Sequence, residues 1–256
     1  MNSFPAILAL SLNLAVPSVV IGFLIGFGGI GGVLLAPALS VIGGLPIQEA
    51  IRICMWVYVV SGVVGTAMFL RNNYIRGRML LALTAGVCPS ALAGAFALNW
   101  IGAPHLEILM AVVIFTSGLF TLNRLHFVGS GQASLNETGL VAIGLVTGFG
   151  SSLTGTGGAL ILIPILLFAH IEVKQALGLA QAIQIPIGVV ASVINFYSGY
   201  LDLALGSLIA VAVGAGVLAG AAYAHRSSST QLKFWVGLSL VLCSLVYGLH
   251  AAGLLL

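Results

Sequence analysis

The chain has 256 residues, of which 60% are hydrophobic and only 5% are charged, whereas about 25% of the residues in a typical soluble domain are charged. Eight basic and five acidic side chains cannot coat a water-soluble globule of this size, so a soluble domain is excluded. The net charge of +3 is small and gives no reason to expect nucleic acid as a partner.

Long stretches of the chain contain no charged residue. They include Met1–Gln48, Ile53–Leu70, Met79–Leu106, Thr138–Ile171, Gln175–Leu201, Leu203–His225 and Phe234–Leu256. A helix needs about 20 apolar residues to cross the roughly 30 Å hydrocarbon core of a bilayer. The sequence therefore predicts an all-α protein that spans a lipid bilayer several times, with eight to ten spans.

Breakers between the apolar runs divide the chain into ten predicted helical segments. They are Phe4–Phe27, Gly31–Ile42, Ile47–Leu70, Arg78–Trp100, Leu106–Leu125, Thr138–Phe149, Gly157–Ala169, Val173–Tyr197, Leu201–Ala224 and Leu232–Ala252. Three segments beside glycine clusters are short, and the sequence leaves open whether they span the membrane or re-enter it.

Several short stretches of the sequence recur at an offset of 126 residues, which is the distance from Gly62 to Gly188. The matches are Gly62–Val64 with Gly188–Val190, Tyr74 with Tyr200, and Leu92–Ala95 with Leu218–Ala221. The glycine clusters correspond at an offset of 122 residues, with Gly26–Gly28 matching Gly148–Gly150. The pattern predicts an N-terminal repeat over 1–128 and a C-terminal repeat over 129–256.

The charges of the loops predict that the two repeats have opposite orientations. The loop Arg71–Arg78 carries three arginines, whereas its repeat partner Gly199–Asp202 carries none and one acid. Loops rich in Lys and Arg face the cytoplasm, which places these two loops on opposite faces of the cell (inner) membrane. Inverted-topology repeats are common in secondary transporters.

Two glycine clusters, Gly26–Gly32 and Gly148–Gly158, are the first candidate for a binding site. Glycine costs roughly 1 kcal/mol in a helix, so clusters this dense predict helix breaks, which lipid tolerates only around protein or water. The helix that follows a break offers free N–H groups to an anion. The predicted substrate-binding residues are Gly28, Gly29, Gly31, Gly32, Ser151, Ser152, Thr154, Gly155, Thr156, Gly157 and Gly158. The alternative is close helix packing, which we expect for Gly62, Gly65, Gly214 and Gly220.

Three further polar residues are predicted to bind substrate. Arg52, early in the third segment, can bind an oxyanion with its guanidinium fork, or else pair with Glu49 or extend to the interface. Gln181 and Gln184 lie deep in the eighth segment, where unpartnered amides are costly. They require either a polar cavity or an interhelical hydrogen bond. Asn195 and Tyr197 are expected at the membrane interface.

Enzymatic chemistry has little support in the sequence. The five histidines and three cysteines show no metal-ligand spacing, and the acidic residues all lie at segment ends. We therefore expect no metal, no cofactor and no catalytic residues. The remaining alternative to transport is a membrane-embedded assembly subunit, and the sequence leaves open whether the protein forms homo-oligomers.

The two glycine motifs, Gly26–Pro37 and Gly155–Pro164, resemble those of the sulfite exporter TauE/SafE family of membrane transporters. The resemblance implies a small sulfur-containing anion as substrate, of the sulfite, thiosulfate, sulfonate or sulfoacetate class. Two departures are visible, Val33 in place of a further glycine and an extra Ser/Thr-rich insertion in the second cluster. An inside-negative potential favours anion exit by about 2.3 kcal/mol per charge per 100 mV, which favours export.

Overall fold

The computed structural model describes residues 4–29, 31–71, 73–123 and 135–224, together with positions 234, 238, 241, 242, 244 and 245. The predicted tenth segment, Leu232–Ala252, lies largely outside the described residues, as does the boundary between the predicted repeats. Every regular element within the described ranges is helical. The prediction of an all-α fold is thus confirmed.

Nine α-helices and one 3₁₀ turn make up the described ranges. They are α1 (Phe4–Gly28), the 3₁₀ turn Gly31–Leu34, α2 (Leu35–Val41), α3 (Ile47–Leu70), α4 (Gly77–Ala97), α5 (Ala103–Asn123), α6 (Glu137–Thr154), α7 (Ala159–Phe168), α8 (Val173–Tyr197) and α9 (Leu203–Ala224). Four of these helices, α3, α4, α8 and α9, are long and apolar enough to cross a membrane. The chain is a multi-pass helical membrane protein.

Helix α6 is longer than the predicted segment Thr138–Phe149. The Asn136 side chain caps its first turn by accepting a hydrogen bond from the Gly139 N–H at 2.9 Å. The helix then continues through Gly148 to Thr154. Glycine is tolerated here because Gly148 packs against the backbone of α4 at Val87, and that contact offsets the low helix propensity.

Glycines also bring two pairs of helices into backbone contact. A Cβ on Gly22 of α1 would clash with the carbonyl oxygen of Val213 in α9, and one on Gly144 of α6 would clash with that of Leu83 in α4. Small residues allow such close approach between membrane helices. Gly220 meets the Phe23 carbonyl in the same way, as predicted, whereas Gly214 has ordinary space around it.

Replacing Gly220 by alanine is expected to lower the free energy of unfolding by about 1–3 kcal/mol, because the added methyl forces α1 and α9 apart. Gly214→Ala is the matched control, since its Cβ would lie 3.6 Å from the nearest atom of Val60. Thermal unfolding in detergent measures both variants. Equal melting temperatures for the two variants would contradict the close contact between α1 and α9.

Several backbone features recur in the described part of the chain at a spacing of 126 residues. The Gly29 N–H donates to the Ile25 carbonyl and the Gly155 N–H to the Ser151 carbonyl, both at 2.8 Å. The structure thus aligns the glycine clusters at 126 rather than 122 residues, and no Ser/Thr-rich insertion is needed. Left-handed backbone recurs at the same spacing in the pairs Gly29 and Gly155, Gly44 and His170, and Asn73 and Gly199.

The helix contacts also give the direction of each helix. Helices α1 and α9 run parallel, as do α4 and α6, while α8 runs antiparallel to α3 because Gly65 meets Gln181 and Gly188 meets Met55. Since α3 and α4 are consecutive and antiparallel, α1, α3 and α9 point one way and α4, α6 and α8 the other. The inverted repeats stay a prediction, which these directions support.

The charged residues in the described part of the chain lie on two opposite faces of the protein. We call the face with Arg71, Arg76 and Arg78 the arginine face; Arg78 pairs there with Glu137. Lys174 also belongs to it, because its ammonium lies 5.5 Å from the centre of the Tyr74 ring. The opposite face holds the start of α3, the end of α4 and the α8–α9 loop. The positive-inside rule predicts that the arginine face lies in the cytoplasm.

Thiol labelling tests this assignment of faces. In a cysteine-free background, Ser198→Cys on the opposite face should react with a membrane-impermeant maleimide in intact cells. Gly77→Cys, at the start of α4 where a side chain has open space, should react only after permeabilisation. Labelling of both positions from the same side would contradict the arrangement.

Candidate functional site

The two glycine breaks meet at one side chain, Tyr58 of α3. Its buried hydroxyl lies within hydrogen-bond distance of the carbonyl oxygens of Gly32 in the first break and of Gly155 in the second, the latter at 2.9 Å. A phenol has one proton to donate, so the hydroxyl can satisfy one of the two carbonyls at a time. Tyr58 is thus the bridge between the breaks.

The glycines pack directly on this tyrosine. A Cβ on Gly32 would lie 2.9 Å from the Tyr58 ring, and one on Gly157 would lie 3.2 Å from it. Gly155 packs on Ile51, mainly on its side chain, two turns earlier in α3. The breaks therefore line the central part of α3, and only residues without a side chain fit between them and the ring.

Tyr58 was not among the residues predicted from the sequence, because it stands among apolar residues of α3 and resembles ordinary core. The repeat could have identified it. Tyr58 precedes Gln184 by 126 residues, so it occupies the equivalent position to a residue that was predicted to bind substrate.

Gln181 and Gln184, which were predicted to bind substrate, are both buried, and both make interhelical hydrogen bonds. The Gln181 Nε2 donates to the Ile25 carbonyl at the end of α1 at 2.8 Å, and the Gln184 Oε1 accepts from the Ser61 hydroxyl at 3.0 Å. Of the two interpretations left open, the structure shows the interhelical hydrogen bond. The Gln181 Oε1 is buried without a partner.

The hydroxyls of the second break fall into two groups. Thr154 donates to the Gly150 carbonyl at 2.6 Å and lies 3.2 Å from the Thr156 hydroxyl, so this pair closes the end of α6. Ser151 and Ser152 are buried with no hydrogen-bond partner. Ser152 lies against Gly94 of α4, away from the break.

Thr147, which was not predicted from the sequence, joins Ser151 as a second unpartnered hydroxyl. It is fully buried, its hydroxyl has no partner, and its methyl group lies beside Gly158. Thr147 and Ser151 are one turn apart on α6 and therefore share a face. Two hydroxyls without a partner thus lie on the face of α6 that packs against Gly158.

Helix α7 begins at this point. Its N-cap, Gly158, has a left-handed backbone with φ of 86° and, as a glycine, no side chain with which to cap the first turn. A helix N-terminus carries a partial positive charge and unpaired N–H groups. The first break differs, since Gly31 and Gly32 lead into the 3₁₀ turn. The predicted fresh α-helix directly after the break is found only at the second break.

Arg52 does not lie with the glycines. It donates from Nη2 to the Asn99 side chain at 2.8 Å, and its guanidinium lies 4.4 Å from the centre of the Tyr200 ring. No ion pair joins it to Glu49 in the described part of the chain. It is six residues from Tyr58, about 9 Å along the helix, and lies at the opposite face.

The position of Asn195 and Tyr197 at the membrane interface stays a prediction, and the two side chains differ in burial. Asn195 lies two residues before the end of α8 and is only 1% exposed, whereas Tyr197 is 84% exposed.

All selected residues other than Arg52 are buried. These residues around the breaks are therefore closed to solvent. Among the described residues, no group of three His, Cys, Asp or Glu side chains is placed to hold a metal ion.

Comparison with known proteins gives the family. The family model for the sulfite exporter TauE/SafE matches residues 14–247. The chain is also similar to a probable membrane transporter protein of Methanocaldococcus jannaschii, with 22% identity over 218 residues, which cover 76% of this chain and 80% of that protein. No solved structure matches. Because the family model spans most of its length, the chain belongs to the TauE/SafE family of membrane transporters.

Proposed function

We propose that the protein exports small sulfur-containing anions, of the sulfite, thiosulfate, sulfonate or sulfoacetate class, by alternating access around the two glycine breaks. One observation carries the proposal. The start of α7 at Gly158 packs against Thr147, whose hydroxyl is buried without a partner, and the Ser151 hydroxyl one turn later on the same face of α6 is buried without a partner as well.

The donor set suits an oxyanion. A buried hydroxyl without a partner costs about 1–3 kcal/mol, and an anionic oxygen at the second break would accept its hydrogen bond. The helix N-terminus adds partial positive charge without a fixed cation. Such a site binds the anion through neutral donors, and binding without a strong ion pair favours release.

Movement between the two halves would open the site. The two breaks belong to different predicted repeats, 1–128 and 129–256, and they meet at the single hydroxyl of Tyr58. The constant 126-residue spacing and the opposite helix directions support the inverted repeat. Rocking one half against the other would separate the breaks on one face at a time.

The direction follows from charge. All five acidic residues lie at helix ends or in loops: Glu49, Glu107, Glu137, Glu172 and Asp202. None is placed near the breaks as a proton relay, so transport needs another driving force. The inside-negative potential of the cell membrane drives anions outward, and export requires no coupled ion.

Ligand-dependent thermal stabilisation of the purified protein tests the substrate class. Sulfite, thiosulfate, sulfoacetate and taurine are titrated at constant ionic strength. We expect at least one of them to raise the melting temperature in a saturable way, because a ligand of the folded state stabilises it by mass action, whereas chloride should not. The shift should shrink in Thr147→Val and persist in the control Thr116→Val, whose hydroxyl bonds its own helix.

Failure of every sulfur anion to stabilise the protein would contradict the proposed substrate class. An equal shift in wild type and Thr147→Val would contradict the proposed site.

A further inference from the structure

Arg52 has an unsatisfied donor at the opposite face. Its Nη2 bonds Asn99 and its guanidinium stacks on Tyr200, but its Nε is buried and has no acceptor. A charged donor left without an acceptor is costly. Asn99 and Tyr200 hold the guanidinium in place, and its Nε donor stays without an acceptor.

Asn195 supplies a second unsatisfied donor nearby. Its Nδ2 is buried with no acceptor, and its backbone carbonyl accepts from the N–H of Tyr200 at 3.0 Å. The Arg52 guanidinium stacks on the ring of the same Tyr200. The antiparallel crossing of α3 and α8, with Gly188 against Met55, also brings Asn195 alongside the start of α3. Two free donors thus lie at one end of the α3–α8 pair.

The charges around Arg52 favour an external anion over a structural ion pair. Arg52 is the only arginine or lysine on the opposite face within the described ranges, and Glu49, Glu107 and Asp202 lie on that face. None of these carboxylates comes within ion-pair distance of it. A guanidinium that served only to hold the helices together would gain most from such a pair.

The pair of unsatisfied donors, Arg52 and Asn195, has no counterpart at the equivalent positions of the other repeat. At the 126-residue spacing, the counterparts of Arg52 and Asn195 are Gly178 and Phe69, neither of which has a polar side chain. The arginine face therefore lacks an equivalent donor pair. Within the predicted repeat, this is a specialisation of the opposite face.

We propose that Arg52 and Asn195 form a second anion site at the opposite face, which holds the oxyanion as it leaves or enters the central site. The ligand class rests on the proposed function. Arg52 binds two oxygens of the anion with its fork, and the Asn195 amide donates to a third. The neighbouring residue Ile51 packs on Gly155, so α3 connects this site to the second break.

Transport kinetics measured from each face test the proposal, in vesicles of phosphatidylcholine, which has no net charge. For thiosulfate offered at the opposite face, Arg52→Gln should raise KM by about 10-fold, as expected for loss of a charged hydrogen-bond pair, with unchanged maximal rate. KM at the arginine face should not change. Asn195→Leu should also raise KM at the opposite face, and Arg52→Lys should raise it less than Arg52→Gln does. The control is Arg78→Gln at the arginine face.

Equal increases of KM at both faces would overturn the proposal, because Arg52 would then serve the central site. Unchanged KM at both faces would also overturn it, since Arg52 would then be purely structural. If the wild type carries no sulfur anion, the proposed function fails, and equilibrium binding of sulfate decides this inference separately. Weaker sulfate binding by Arg52→Gln than by Arg78→Gln would support the site, and equal binding would refute it.

Discussion

Gly158→Ala is expected to reduce the transport rate by about 100-fold, the loss that a displacement of about 1 Å at a site can cause. The backbone of Gly158 is left-handed, with φ of 86°, and a Cβ there would lie 2.7 Å from Ile187 and 2.9 Å from Ile183. Strain of about 1–2 kcal/mol and overpacking of about 1–3 kcal/mol act together. We expect the start of α7 to shift, so that its N–H groups leave their positions.

Gly44→Ala is the matched control for Gly158→Ala. Gly44 is also left-handed, with φ of 67°, but a Cβ on it would meet nothing within 4 Å in the α2–α3 loop. It should lose about 1–2 kcal/mol of stability from strain alone and retain its transport rate. Initial rates per inserted molecule and thermal unfolding are measured for both. A Gly158→Ala protein that transports like the wild type would rule out α7 as part of the site.

Tyr58→Phe should lower the transport rate by about 10-fold and the free energy of unfolding by about 1–3 kcal/mol. The phenyl ring still packs on Gly32 and Gly157, but the hydroxyl that reaches the carbonyls of Gly32 and Gly155 is gone. The two breaks then lose their shared hydrogen bond in the closed state. Initial rates in proteoliposomes and melting temperatures measure the change.

Tyr197→Phe serves as the control for this hydroxyl deletion, because its side chain is 84% exposed. It should match the wild type in both rate and stability. If Tyr58→Phe also matches the wild type, the bridge between the breaks has no functional role.

Much of the fold follows from the sequence because lipid restricts the choices. A backbone in hydrocarbon must satisfy its own hydrogen bonds, so apolar runs of this length predict helices, and α3 and α8 have the predicted bounds Ile47–Leu70 and Val173–Tyr197. The breaks were also predictable, because glycine and left-handed turns go together. Gly155, Gly157 and Gly158 all have positive φ.

The site itself was harder to predict, because its key features depend on which helices meet. Tyr58 and Asn195 stand in apolar sequence, and nothing local separates a buried tyrosine that bridges two breaks from one that fills a core. Arg52 was grouped with the glycines, yet helix geometry places it at the opposite face. The extent of α6 also depended on a partner, since α4 stabilises a stretch that glycine propensity alone would end.

Voltage-driven efflux from proteoliposomes tests the central claim most directly. Vesicles loaded with radiolabelled thiosulfate receive an inside-negative potassium diffusion potential, worth about 2.3 kcal/mol per charge at 100 mV. We predict that the potential accelerates efflux through the wild-type protein, that added proton gradients are unnecessary, and that Gly158→Ala abolishes the acceleration. Efflux no faster than from protein-free vesicles, for thiosulfate and sulfite alike, would contradict the account.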